Sequence, residues 1–427
     1  MFSFKNGILR IGKEKPGLDT FIDVGFFLLL CSQYATMSSG KGNNYFYYFS
    51  FFLFFGLTLI KMMTRFKSQG TFVLPSITIW FGGFTLLCFA SILWAEHPKA
   101  CMNVISRLLQ SMVVTFCMAQ NYVTRNSLLK CVRMFSWAGI YALVYMLINT
   151  PADTWFTGGF GYSATTLNPN TIGMIFTICV IVSFYLAFYC KEKRYYLFVG
   201  LQLLAVILTG SRKSLLSSVA GLMMLILMKS QRRNIIWRIL TVVGLGVVLF
   251  YLIMSVPELY RTIGVRFESM LEHIMSDGGD HSMTLRKAFI EYAREMFYQK
   301  PIFGHGINNF IEKVGRYVGV ATYAHNNYYE LLADVGIVGT FLYYSYYIYL
   351  LASLFKIWYR SRGSLVKLMI VWICVIMICE YGLVSYYQIY IHMPICCAYL
   401  FICAYDNKDD FSESTPSYFK YKNGVYN

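Results

Sequence analysis

Hydrophobic residues are grouped along the 427-residue chain into long runs that polar or basic residues separate. An apolar stretch of about 20 residues matches the ~30 Å hydrocarbon core of a bilayer when it forms a helix. The pattern predicts transmembrane helices near residues 20–38, 45–63, 72–94, 104–123, 129–148, 168–189, 195–210, 213–229, 236–255, 328–354, 367–386 and 389–405. The sequence therefore predicts an all-α polytopic membrane protein with about 12 transmembrane helices.

Basic residues lie mainly on every second connection between these predicted spans. Cytoplasmic loops of membrane proteins carry an excess of Lys and Arg, so this alternation predicts that both termini are cytoplasmic. The composition, 57% hydrophobic and 14% charged, excludes an ordinary soluble protein. The net charge of +16 therefore reflects basic loops at the membrane surface, and we expect no nucleic-acid partner.

The short connections are interrupted by one long outer segment, from about Pro257 to Asn327. Loops of this length in a compact fold are usually functional. Apolar residues such as Leu285 and Phe289 recur there at helical spacing, which predicts an amphipathic helix from about Thr284 to Gln299. We divide the chain into an N-terminal transmembrane bundle of about nine spans (1–255), a large extracytoplasmic loop (256–328), about three C-terminal spans (329–405) and a cytoplasmic tail (406–427).

Arg212 is the first candidate for chemistry. It follows Thr209-Gly210-Ser211 at an outer membrane boundary, where the positive-inside rule disfavours a cation. Its side chain could extend to the interface or form a salt bridge. Alternatively, its guanidinium group could bind phosphate oxygens in a forked geometry at the level of the lipid headgroups.

Arg286 and His325 are the other two candidates. Arg286 opens the predicted loop helix, where the positive helix terminus favours an anion, although a solvated helix face explains it equally well. His325 precedes Asn326 and Asn327, one of which we expect to be the N-cap of the next span. The helix dipole would keep His325 neutral and able to accept a proton, whereas the alternative is a structural histidine.

Several other polar residues have two interpretations. Asn168-Pro169-Asn170 opens a span and could be a helix cap or a pair of amides that binds sugar hydroxyls. Glu380 lies inside a span, where a functional role and a structural hydrogen bond are both reasonable. The motifs of nucleotide-sugar transferases, P-loop ATPases and serine hydrolases are absent from the sequence, and no metal-ligand spacing is present.

Three pieces of the chain, taken in order, resemble the superfamily of O-antigen ligases and O-antigen and capsular polysaccharide polymerases. They are Thr209-Gly210-Ser211-Arg212, then Arg286 followed by the segment from Pro301 to Phe310, and then Ala324-His325-Asn326 with Glu330, Gly336 and Gly339. The Asn-Pro-Asn motif at residues 168–170 also resembles one that is common in this family. The resemblance covers about residues 165–355.

The resemblance implies a GT-C-like fold and a metal-independent membrane glycosyltransferase without a cofactor. Its substrate would be an undecaprenyl-diphosphate-linked oligosaccharide at the outer face of a bacterial cytoplasmic membrane. It implies that Arg212, Arg286 and His325 are catalytic, that both arginines also bind substrate, and that Asn326, Asn168 and Asn170 assist in binding. His305, in a Gly-His-Gly turn, is assigned no role because the middle position varies in the family. Flippase and chain-length regulator proteins are the protein partners that such a role in capsule or exopolysaccharide synthesis implies.

Three functions remain open from the sequence. A polymerase would join lipid-linked repeat units into a longer glycan, and we favour this function by analogy with the family. A ligase would move a finished glycan to lipid A-core or protein. A transporter or flippase would also have about twelve spans, but such proteins usually have repeated halves, which this sequence does not show.

Overall fold

The computed structural model describes residues 2–5, 8–11, 17–35, 44–69, 74–158, 160–165, 167–229, 235–276, 281–361 and 363–406. The predicted cytoplasmic tail after residue 406 lies outside this part of the chain. The proposed division at residues 255, 328 and 405 stays a prediction.

The described chain is helical except for one antiparallel hairpin, in which Phe2–Lys5 (β1) pairs with Ile8–Ile11 (β2). The first group of helices is α1 (Leu18–Ala35), α2 (Tyr45–Gln69), α3 (Ser76–Ala90), α4 (Pro98–Asn121), α5 (Arg125–Asn149), α6 (Tyr162–Thr165), α7 (Pro169–Phe188), α8 (Tyr195–Leu208) and α9 (Arg212–Leu227). The second is α10 (Ile235–Ser255), α11 (Pro257–Leu259), α12 (Val265–Ser276), α13 (His281–Gln299), α14 (Asn309–Val318), α15 (Asn327–Ser361), α16 (Ser364–Glu380) and α17 (Ile389–Asp406). Short 3₁₀ turns at Ser91–Leu93 and Ala152–Thr154 and a π-helical turn at Tyr260–Gly264 complete the described elements.

Each of the twelve predicted spans overlaps one helix, and seven described helices are long and apolar enough to cross a membrane, or eight with one bent pair. The chain is therefore an integral membrane protein, while the number twelve stays a prediction. The bent pair consists of Gly246–Ser255 and Pro257–Ser269, which meet at 92°.

Two helices, α7 and α16, form the centre of the bundle. The apolar window of α7 is 89% buried, and α7 contacts α5, α8, α9 and α16. Its few polar side chains are paired inside the protein: Thr177 donates to the Gly173 carbonyl oxygen (2.8 Å) and lies 2.9 Å from the Ser218 hydroxyl. A central helix of this kind places its N-terminus, at Asn168, in a fixed position for the site described below.

The structure confirms an amphipathic helix, α13, in the long segment that is predicted to lie on the outer face and that we call the outer loop. Phe289, Ala293 and Met296 are buried on one face of α13, where they form a second apolar cluster with Phe310 and Val314 of α14. The helix starts at His281 rather than Thr284, so Arg286 lies in its second turn. Our expectation that Arg286 opens the helix was wrong, and the terminal dipole acts less on it because that effect is confined to the first turn.

Helix α15 is broken near its start, which we did not predict. Gly336 has φ 64° and ψ −167°, and the helix resumes after it. The segment from Pro301 to Phe310 forms backbone hydrogen bonds on both sides of this break. The Gly306 amide donates to the Asp334 carbonyl oxygen (2.8 Å), and the Ile337 amide donates to the Pro301 carbonyl oxygen (2.9 Å). We call these paired residues the helix-break clasp.

Glycine is required on both sides of the clasp. A Cβ atom on Gly304 (φ 66°) would lie 2.4 Å from the backbone of Asp334, and one on Gly336 would lie 2.4 Å from the Ile302 carbonyl oxygen. The Asp334 carboxylate, buried in the same place, accepts the backbone amides of Asn308 (2.7 Å) and Phe310 (2.8 Å) at the start of α14. The outer loop is thereby fixed to the membrane helix that follows His325.

Candidate functional site

His325 lies in a turn immediately before α15, sandwiched between two aromatic rings. Its ring centre is 4.1 Å from that of Tyr323 and 6.0 Å from that of Phe289, which stacks at 18°. His325 has φ 54°, an uncommon left-handed conformation for a residue other than glycine. Its Nδ1 atom is buried and makes no hydrogen bond among the described residues. The structure therefore holds the imidazole by packing and leaves Nδ1 without a hydrogen bond among the described residues.

The pKa of His325 is lowered from 6.5 to about 3. Burial is the largest cause, and the positive charges of Arg286 and then Lys213 add to it. The expectation of a neutral imidazole is thus in line with the direction of the shift, but desolvation and two cations produce it rather than the helix dipole. An anion bound at those cations would cancel part of their effect and raise this pKa.

Arg286 and Lys213 are consequently the cations of the site. Arg286 comes from α13 in the outer loop and is half-buried. Burial raises the pKa of the Tyr323 hydroxyl, and the Arg286 charge opposes part of that rise. Lys213 comes from the first turn of α9, and its ammonium group donates to the Gly382 carbonyl oxygen. We call Arg286, Lys213 and His325 the cationic cluster. Our sequence reasoning considered Arg212 at this turn, whereas its neighbour Lys213 acts on His325.

Arg212 lies beside the cationic cluster in sequence, but its described hydrogen bond goes elsewhere. Its guanidinium group donates to the Arg266 carbonyl oxygen, while Arg266 donates to the Gly210 carbonyl oxygen (3.1 Å). The two arginines therefore tie the Gly210–Arg212 turn to α12. Ser211 caps α9 by accepting the Ser214 amide, which explains why the helix begins at Arg212.

Asn168 and Asn170 connect the central helix to both sides of the site. Asn168 is the N-cap of α7, since its Oδ1 accepts the Asn170 amide at 2.8 Å. Its Nδ2 donates to the Tyr323 hydroxyl at 3.2 Å. Asn170 accepts the Ser211 hydroxyl at 2.8 Å. Both asparagines therefore have a structural role that joins the turn before α9 to the segment containing His325.

Asn326 is the N-cap of α15, which resolves the choice between Asn326 and Asn327. Its Oδ1 accepts the amides of Tyr328 (3.0 Å) and Tyr329 (3.2 Å), and its Nδ2 donates to the Tyr381 carbonyl oxygen (3.2 Å). The buried Glu330 accepts the Ala324 amide at 2.6 Å. These bonds hold the backbone on both sides of His325.

Tyr323 is a site residue that sequence reasoning did not assign. Burial raises the pKa of its hydroxyl to about 12, although the nearby Arg286 charge opposes the shift. The phenol therefore stays protonated at neutral pH. Its position two residues before His325 was the available signal, but sequence spacing did not show that the two rings are in contact.

Glu380 and His305 both have satisfied structural partners. The Glu380 carboxylate accepts the hydroxyls of Ser385 (2.7 Å), Tyr344 (2.9 Å) and Tyr347 (3.2 Å), which fits the structural interpretation of this residue. The His305 ring lies 2.9 Å from the Met296 carbonyl oxygen and 3.0 Å from the Lys313 ammonium. Within the described ranges, no group of three His, Cys, Asp or Glu side chains could hold a metal ion.

Comparison with known proteins gives a family match to the segment that contains the outer loop and the helices around it. Residues 197–344 match the sequence model of the family described as O-antigen ligase. The matched segment contains Arg212, Lys213, Arg286 and His325, while Asn168 and Asn170 precede it. The match confirms the resemblance to the O-antigen ligase and polymerase superfamily. A search of curated proteins found no match.

Proposed function

We propose, from the match of residues 197–344 to the O-antigen ligase family, that this protein is a polysaccharide polymerase. It transfers undecaprenyl-diphosphate-linked oligosaccharide repeat units onto a growing lipid-linked glycan at the outer face of the bacterial cytoplasmic membrane. The observation that carries this proposal is the cationic cluster, in which a buried imidazole without a described partner at Nδ1 lies within the electrostatic influence of Arg286 and Lys213.

The leaving group accounts for the cations. Breaking the bond between the anomeric carbon and the diphosphate oxygen leaves negative charge on the diphosphate, which positioned cations stabilise. Arg286 supplies a planar fork that suits phosphate oxygens, and Lys213 supplies a point charge. Arg212, in the adjacent turn, adds a further phosphate contact. For this its guanidinium group gives up the hydrogen bond to the Arg266 carbonyl oxygen and donates to the diphosphate instead.

The attacking hydroxyl accounts for His325. A sugar hydroxyl that bonds to the anomeric carbon must lose its proton, and a positioned imidazole can accept it at Nδ1. With a pKa of about 3, His325 is a weak base in the free protein. Donor binding would neutralise part of the Arg286 and Lys213 charges, so the basicity of His325 would increase when the diphosphate is in place.

Three variants test the assignment with purified protein and lipid-linked repeat units. His325→Ala should lower kcat by about 10²- to 10⁴-fold, the usual contribution of a general base. Arg286→Lys and Arg212→Lys keep the charge but lose the fork, so both should reduce polymer yield. His97→Ala is the control, because His97 is a histidine at the N-cap of α4, in a different connection.

The products separate the possible functions. A ladder of glycans supports the polymerase, whereas a single transfer to added lipid A-core or protein would indicate a ligase. Movement of the lipid-linked glycan across the bilayer without a new bond would indicate a flippase. Unchanged polymer yield in both His325→Ala and Arg212→Lys would reject the assigned chemistry.

A further inference from the structure

A cavity of about 480 Å³ adjoins the cationic cluster and is not explained by the chemistry above. It lies among the C-terminal end of α1, the N-terminal ends of α2 and α7, the first half of α4, and the connection between α16 and α17. Asn168 and Tyr323, the residues that hold the segment before His325, form part of its wall. Its volume is in the range of small-ligand sites.

The α16–α17 connection runs from the cationic cluster into the wall of this cavity. Near α16, the Tyr381 carbonyl oxygen accepts a hydrogen bond from the Asn326 side-chain amide, and the Gly382 carbonyl oxygen accepts one from the Lys213 ammonium group. Further along, Tyr387 and Gln388 line the cavity. A ligand in the cavity would therefore lie next to the cationic cluster, with Tyr323 between the cavity and the His325 ring.

The lining consists mainly of amide and phenol groups. The amides belong to Gln33, Asn44, Gln110, Asn168 and Gln388, and the phenols include those of Tyr47, Tyr323, Tyr387 and Tyr390. Among the described lining residues Arg107 alone is charged, and its guanidinium carbon lies 5.3 Å from the centre of the Tyr387 ring. Such a surface offers hydrogen bonds and aromatic faces but little charge to hold a diphosphate.

Two buried side chains in the wall have unused hydrogen-bonding capacity. Gln33 is 1% exposed, and among the described residues its amide makes no hydrogen bond of good geometry, only a weak contact with the Tyr47 hydroxyl. Tyr390 is 2% exposed, and its hydroxyl likewise makes only a weak contact with Thr171 in the described part of the chain. Buried polar groups without partners are rare because each costs about 1–3 kcal/mol. A ligand with several hydroxyl groups would satisfy both.

We propose that this cavity is the subsite for neutral sugar residues of the acceptor glycan. The inference rests on the proposed transferase function. The donor is anchored through its diphosphate at Arg286 and Lys213, so its position does not require the cavity. The acceptor lacks that anchor at its reacting end, and a sugar in the cavity presents a hydroxyl past Tyr323 to His325.

The binding test uses the purified full-length protein and oligosaccharides of one to three repeat units, cut from the organism's own surface polysaccharide. Calorimetry measures their Kd for the parent and for Gln33→Leu and Tyr390→Phe. Each variant should raise Kd about five- to tenfold, the effect of one lost hydrogen bond. Neither should lower Tm appreciably, because each replaces a weakly paired buried group by an apolar one of similar size.

Tyr195→Phe is the matched control. Its hydroxyl is also buried and without a described partner, but Tyr195 lies at the start of α8 and does not line the cavity. It should leave Kd unchanged. If Gln33→Leu and Tyr390→Phe also leave Kd unchanged while polymer still forms, the subsite is wrong and the proposed function stands.

A transfer assay distinguishes the acceptor from the donor. A fluorescent acceptor and a separate lipid-linked donor give two KM values, and the cavity variants should raise the acceptor KM alone. A rise confined to the donor KM would overturn the acceptor assignment. Oligosaccharide binding that depends on Tyr390, without transfer under any condition, would support the saccharide subsite and reject the transferase.

Discussion

The cationic cluster and the cavity share Tyr323 as a border but differ in their charge. On one side, burial lowers the pKa of His325 to about 3, and the charges of Arg286 and Lys213 add to the shift. On the other side, the charge of the described lining is confined to Arg107, and amides and phenols supply the hydrogen bonds. The difference suits two parts of one reaction, because a diphosphate needs cations and a sugar needs neutral donors and acceptors.

The two regions also differ in how the chain builds them. The cationic cluster combines the outer-loop helix α13, the first turn of α9 and the turn before α15. The cavity is formed mainly by ends of the bundle helices α1, α2, α4 and α7. The cluster therefore depends on how the outer loop is fixed to the bundle, and the cavity depends on it much less.

The largest expected effect comes from breaking the helix-break clasp. Gly304→Ala places a Cβ atom 2.4 Å from the backbone of Asp334 at a positive φ, and we expect it to destabilise the protein by about 2–4 kcal/mol. Gly319→Ala is the control, since Gly319 also has a positive φ (80°) but open space around its Cβ position. Thermal unfolding of both variants measures the difference.

The same variant tests whether the two regions are separate. Pyrophosphate affinity should fall with Gly304→Ala while saccharide binding persists. Equal loss of both would show that the regions are not separate.

A smaller effect is expected from removing one cation. Arg286→Gln should weaken the binding of inorganic pyrophosphate about tenfold, since a charge-assisted hydrogen bond contributes about 1.5–3 kcal/mol. Saccharide affinity should not change, because the cavity wall does not include Arg286. Raising the salt concentration should weaken pyrophosphate binding but not saccharide binding. Parallel calorimetric titrations measure both, and a similar salt dependence for the two ligands would contradict the contrast.

The smallest effect is a pH dependence of stability. Because the pKa of folded His325 is about 3 and its ordinary value is 6.5, the unfolded chain binds a proton between these pH values that the folded chain does not. Stability from this residue is therefore present above about pH 6.5 and is lost as pH falls toward 3. His325→Asn should reduce the drop in Tm between pH 7 and pH 5. His305 contributes in the same direction, so the comparison with the parent isolates His325. An equal drop in both proteins would mean that the folded protein does not hold His325 neutral in this pH range.

Local patterns predicted much of the fold. The apolar runs predicted helices that the structure contains, and the spacing of Leu285 and Phe289 predicted the buried face of α13. Helix ends were less certain: the span predicted to reach residue 386 ends at Glu380, and α15 is broken at Gly336. A single glycine in an apolar run does not reveal that another segment will pack against it.

The candidate site was predicted in part. Arg286 and His325 were identified from a helix start and an N-cap pattern, and the structure places the Arg286 charge near the neutral His325 ring. Arg212 was favoured over Lys213, although Lys213 is the one that acts on His325. Neighbouring residues on a helix point about 100° apart, so the choice between them depends on where the helix is placed.

The sequence by itself determined that the chain is a membrane-spanning helical protein, because hydrophobicity and charge act through local composition. It also determined the helix caps at Asn168 and Ser211, since such bonds join residues two or three positions apart. Only the tertiary structure decided which cations lie near His325 and that a neutral cavity lies beyond Tyr323. Both depend on contacts between segments that are distant in sequence, such as that of Asn168 with Tyr323, 155 residues later, and local preferences do not encode these contacts.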